Sequence, residues 1–91
     1  MSYSVRTTKR FDKSVERMKK RGLPMEDLRR VISLLMQTGT LPEKYRPHKL
    51  SGSLKGKWEC HIKGNWLLVW EQYDAELLLI MIDAGSHSDI F

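Results

Sequence analysis

Three histidines stand in the second half of this chain, each in a short polar or aromatic phrase: Tyr45-Arg-Pro-His48, Glu59-Cys-His61 and Gly85-Ser-His87-Ser-Asp-Ile-Phe91. Histidine has an unperturbed pKa near neutrality, so several brought together suit general acid–base chemistry. Their spacing does not suit a metal. No HxxxH or HExxH pattern occurs, and Cys60 directly precedes His61, so on a strand the two would point to opposite faces. In a basic chain, this set points to a small enzyme that uses neither metal nor cofactor and acts on an anionic polymer.

Glu59 and His61 are the strongest pair by local geometry. Residues i and i+2 of a strand share a face, so the carboxylate would orient the ring and favour its charged form. The plain alternative is an exposed polar pair. His87 follows Gly85 just after the most apolar stretch, and strand ends beside loops often carry chemistry; the alternative is a surface residue in a tail. Phe91 either packs into the core or stacks on a nucleobase. His48 sits between Arg46 and Lys49, where two cations would hold a phosphate. Trp66 and Trp70 read as core residues before they read as stacking platforms.

These residues need elements to place them. Tyr3-Ser-Val-Arg-Thr alternates as a short strand, and Thr7 or Thr8 can cap the helix that follows. Phe11, Val15 and Met18 form that helix's apolar stripe, with Gly22 as its stop. Pro24 opens a second helix whose buried face is Leu28, Val31, Ile32 and Leu35. So short a turn predicts a helix hairpin. Residues 40–56 read as loop, punctuated by Pro42, Pro47, Gly52 and Gly56. Three strands follow: one around residues 58–62, one over 66–70 and one over 77–82, with turns at Lys63-Gly64-Asn65 and Tyr73-Asp74-Ala75-Glu76. The order β-α-α-β-β-β predicts a single α+β domain over residues 1–91, its helix pair on one face of a small, mainly antiparallel sheet.

The size suits one modest core. Of the 91 residues, 41% are hydrophobic and 30% charged, which excludes a disordered tail. Cys60 is the lone cysteine, so a disulfide framework is excluded and a reducing cytoplasm fits. Arg6, Lys9 and Arg10 interrupt the N-terminus, which does not read as a signal peptide, and no apolar run is long enough to cross a membrane. The net charge of +5 is unevenly spread. Residues 1–57 hold fifteen of the sixteen Lys and Arg and five of the eleven acids, a balance of +10; the rest carry −5. The basic part fits polyphosphate, or else a solvated helix surface.

Four phrases in order, Tyr45-Arg-Pro-His48-Lys-Leu-Ser-Gly52, Lys55-Gly56-Lys-Trp-Glu-Cys-His61-Ile, Asn65-Trp66-Leu-Leu-Val-Trp70 and Gly85-Ser-His87-Ser-Asp-Ile-Phe91, resemble the YafQ branch of the RelE/ParE toxin superfamily. The likeness covers almost the whole chain. It implies a RelE-like fold and a toxin of a type II toxin–antitoxin pair: a ribosome-dependent endoribonuclease that cuts messenger RNA in the A site. The reaction is metal-free, the 2′-hydroxyl attacking the adjacent phosphate to leave a 2′,3′-cyclic phosphate and a 5′-hydroxyl. The family's functional histidines match His48, His61 and His87, with Trp66 and Phe91 at further matching positions. The implied partners are the ribosome, messenger RNA and a small antitoxin with a ribbon-helix-helix domain, through which operator DNA is reached.

On this reading His87 is the general acid, and His61 oriented by Glu59 is the base, with His48 as its competitor. Arg46, Lys49, Lys55 and Lys63 are the phosphate-binding candidates, and Asn65, Trp66 and Phe91 complete the site. Two positions depart from the family's pattern. Asn65 stands where an aspartate is usual, and Asp83 where the best-known member has an arginine that could neutralise the scissile phosphate. The competing readings are a toxin-like binding module without activity, a gyrase-targeting toxin of the ParE type, and a plain RNA-binding protein.

Overall fold

The apolar stripes read from the sequence become two helices laid on one side of a five-stranded sheet. The computed structural model describes residues 2–91. In chain order the elements are β1 (Ser4–Thr7), α1 (Lys9–Lys20), α2 (Met25–Thr38), β2 (His48–Lys49), β3 (Trp58–Lys63), β4 (Trp66–Tyr73), β5 (Leu78–Gly85) and α3 (His87–Ile90), with 3-10 turns at Glu43–Tyr45 and Gly52–Leu54. The strands lie in the order β1-β5-β4-β3-β2. All neighbours are antiparallel except β1, which runs parallel to β5 at the edge.

The α+β architecture is the one expected, with two additions. The stretch 40–56 is more than loop: two of its residues form β2 and pair with β3. The tail after β5 closes into α3.

Alternation within the strands divides the sheet into two faces. On the helix side, Phe11, Met18, Leu28, Val31 and Leu35 bury against Cys60, Ile62, Leu68, Trp70, Leu79 and Met81. Helix α1 lies over β5, and α2 contacts β3. On the other side a smaller cluster joins Leu67, Val69 and Ile90, bordered by Leu50, Leu54 and Ile82. The chain thus covers its second face with short turns and with α3, not with long helices.

Local signals set the helix ends. Thr8 is extended and accepts the Phe11 N–H at 3.1 Å, while its hydroxyl reaches the Met81 and Ile82 carbonyls of β5. One side chain therefore both caps α1 and ties it to the sheet. Thr8→Ala should lower stability by about 1 kcal/mol, read from the denaturant midpoint, with little change in the slope.

Pro24 stands one residue ahead of α2 rather than in its first turn. The helix ends at Gly39, whose φ of 74° is left-handed, and a Cβ there would lie 2.5 Å from the Tyr3 hydroxyl. Both facts require glycine.

Candidate active site

The pairing of β2 with β3 decides which groups meet. His48 stands directly opposite Glu59, and Glu59 opposite Val69 of the second apolar cluster. Cross-strand partners share a face, so His48, Glu59 and His61 all turn away from the long helices.

Within that face the expected pair is corrected. Glu59 does not orient His61; its Oε1 lies 3.2 Å from His48 Nε2. Across two paired strands, opposite residues stand closer than i and i+2 neighbours along one strand. The sequence hid β2, and with it the nearer partner.

The two histidines have different hydrogen-bonding. His48 Nδ1 lies 2.8 Å from the Arg46 carbonyl, which only accepts, so Nδ1 carries hydrogen and Nε2 faces the carboxylate. Arg46 takes a left-handed turn, with φ of 51°, that brings its carbonyl round to the ring. His61 Nδ1 meets the Gly64 carbonyl at 3.3 Å, so Nδ1 carries hydrogen, and its Nε2 makes no hydrogen bond to another described residue. Glu59 is buried, at 3% side-chain exposure, and its Oε2 has no partner among the described residues. Beside it, burial and then the Glu59 charge push the Cys60 thiol up to about 12, so it stays protonated and unreactive.

The third histidine comes from α3. His87 is exposed, and its ring lies 5.5 Å from that of Phe91 at a tilt of 31°. Phe91 is also exposed and does not join the core. Gly85, with φ of 150°, lets the chain bend tightly here, since a Cβ would stand 2.9 Å from Asp89. The phrase Ser86-x-x-Asp89 is a capping pattern that sequence reading missed. Asp89 Oδ2 accepts from both the N–H and the hydroxyl of Ser86, each at 2.9 Å. Those bonds, and then Arg21, hold its carboxyl below the usual range.

The remaining candidates divide by face. Arg46 and Lys55 are exposed. Lys49 instead stands opposite Trp58 and lies over its ring at 5.6 Å, and Lys63 lies 3.9 Å from Asp27 of α2, so both turn toward the helix layer. Asn65 is exposed in the β3–β4 turn. Trp66 packs against the helix-side core with Arg21 over its ring at 5.7 Å, which separates it from His48 and His61.

Asp83 is also not among the histidines. Asp83 pairs with Val69 and Met81 with Trp70, so a bulge leaves Ile82 without a partner in the register. Ile82 borders the second cluster, whereas Asp83 keeps the face of Leu79 and Met81 and turns to α1. There it meets Arg10 Nη2 at 2.8 Å and Ser14 Oγ at 2.5 Å.

Comparison with known proteins places the fold in a family. The family model described as "Bacterial toxin of type II toxin-antitoxin system, YafQ" matches residues 3–91. The mRNA interferase toxin YafQ of Escherichia coli K12 is 33% identical over 82 residues, covering 89% of this chain and 87% of that one. Among solved structures, the toxin in the E. coli DinJ–YafQ toxin–antitoxin complex is 28% identical, with a TM-score of 0.88, covering 100% of this chain and 99% of that one. A metal-bound toxin from Helicobacter pylori is 36% identical, with a TM-score of 0.87 and full coverage of both chains. Among the described residues here, no three His, Cys, Asp or Glu side chains gather closely enough to hold a metal ion. A match that spans residues 3–91 is a match to the whole fold, and the chain belongs to the YafQ family of type II toxin–antitoxin toxins.

Proposed function

We propose that this chain is an mRNA interferase: a cytoplasmic, ribosome-dependent endoribonuclease that cuts messenger RNA in the A site and is neutralised by a cognate antitoxin. The observation that carries the reading is the unequal environment of two histidines on one sheet face. His61 donates from Nδ1 to a carbonyl, and its Nε2 has no partner among the described residues, which suits a base. His48 meets an acceptor at each ring nitrogen, which suits a cation facing phosphate beside Arg46.

The step then runs without metal. His61 takes the proton of the ribose 2′-hydroxyl as that oxygen bonds to phosphorus. The bond from phosphorus to the 5′-oxygen breaks, and His87 gives its proton to that oxygen. The products are a 2′,3′-cyclic phosphate and a 5′-hydroxyl. Phe91 offers an exposed ring for a base to stack on. The ribosome supplies the in-line geometry that so small a domain has few groups to impose. The antitoxin of this reading carries a ribbon-helix-helix domain, and operator DNA is reached only through that complex.

The test is primer extension on messenger RNA after induction of the toxin, and again with purified ribosomes. The expected result is discrete cuts within codons that disappear when the antitoxin is added. Growth arrest without cuts would overturn the reading and favour a gyrase-targeting toxin; binding without either would favour an inactive module.

A further inference from the structure

Helix α3 carries His87 and leads straight into Phe91, yet a helix of four residues does not hold itself in place. Two anchors do so. Ile90 is buried with Leu67 and Val69. The second anchor is Asp89, whose two carboxylate oxygens accept from Arg21 Nη1 at 3.0 and 2.8 Å while Oδ2 also holds Ser86. Arg21 caps the C-terminus of α1, and its guanidinium lies 5.7 Å from the Trp66 ring centre at the start of β4. One planar cation therefore joins α1, β4 and α3.

We propose that Arg21 is a positioning residue for cleavage: it seats on Trp66, grips Asp89, and so aims His87 and Phe91 without touching RNA. The proposal rests on the nuclease reading above. Arg21 and Asp89 keep 47% and 17% side-chain exposure, so the pair adds little to global stability. Its effect is on direction. A guanidinium can stack on an indole and bond a carboxylate in the same plane, which a point charge cannot do. Displacing a reacting group by about 1 Å can cost on the order of 100-fold in rate.

The rival account makes Arg21 one more cation of a basic helix, drawn to RNA phosphate. The variants Arg21→Ala, Asp89→Asn and the double variant separate the two, made in the full chain. Asp89→Asn keeps an oxygen to accept from Ser86, removes the charge and turns the other oxygen that accepts from Arg21 into a donor. Three readouts apply: the thermal midpoint, hydrogen exchange at the Phe91 N–H (which donates to the His87 carbonyl at 2.8 Å), and cleavage on ribosomes. The expected result is an unchanged midpoint and exchange roughly tenfold faster at Phe91 in each variant. Cleavage should fall about 10- to 100-fold, with the double variant no worse than the singles. Wild-type exchange in Arg21→Ala would overturn the proposal, as would losses that multiply in the double variant. If the unaltered chain cuts no RNA, the nuclease reading fails, and the exchange measurement still decides whether Arg21 holds α3.

Discussion

Replacing His87 by alanine should lower ribosome-dependent cleavage by about 10²- to 10⁴-fold, the usual contribution of a positioned general acid. Fold and antitoxin binding should remain. The imidazole is exposed, its neighbour is the Phe91 ring, which is also exposed, and it makes no side-chain hydrogen bond to another described residue. Its loss should move stability by no more than about 0.5 kcal/mol, as for ordinary surface substitutions. Growth arrest should disappear while the variant still forms a complex with the antitoxin and melts at the parent temperature. Unchanged cleavage in a folded His87→Ala protein would remove His87 from the chemistry and leave His48 as the remaining proton donor on the sheet.

The roles of the three histidines show where sequence reading succeeds and where it stops. The stripe of Phe11, Val15 and Met18, and the face of Leu28, Val31 and Leu35, are local patterns, and the helices and the side they bury followed from them. The face shared by Glu59 and His61 was equally legible, because strand alternation is local. The partner of Glu59 was not. It depends on a two-residue strand that forms only by pairing with β3, so no periodicity announces it. The face of Asp83 was legible by alternation: counting alternate residues along β5 from Leu79 and Met81 puts it on the helix side, where it meets α1. The bulge breaks the alternation only at Ala84, which stays on that side. In α3 four residues are too few for a stripe, yet Ser86 and Asp89 stand at capping-box spacing and could have been read.

The buried contacts of Asp83 with α1 give the position its own test. If the arginine of the family's best-known member were missing from a catalytic site here, Asp83→Arg should restore a phosphate-binding group and raise cleavage. The structure predicts the reverse. Asp83 is 3% exposed at its side chain, and all its bonds run to the helix layer or its own strand. Oδ2 accepts from Arg10 at 2.9 and 2.8 Å, and Oδ1 accepts from Ser14 Oγ and the Ala84 N–H. An arginine at this point would set a second guanidinium against Arg10, close to Arg17, which already reaches Ser14 Oγ at 3.2 Å. It would also leave a buried hydroxyl and a buried N–H without their acceptor. An unpaired buried charge costs about 3–5 kcal/mol, a large share of the roughly 5–15 kcal/mol that holds a domain folded. Asp83→Arg should therefore unfold at much lower denaturant and cut no faster. Asp83→Asn, which keeps an oxygen for Ser14 and Ala84, should lose far less. Reversing the pair with Arg10→Asp in the Asp83→Arg background should recover part of the stability, because the two charges would again be opposite. An Asp83→Arg protein as stable as the parent and faster in cleavage would mean that the side chain reaches the histidine face, and its placement against α1 would be wrong.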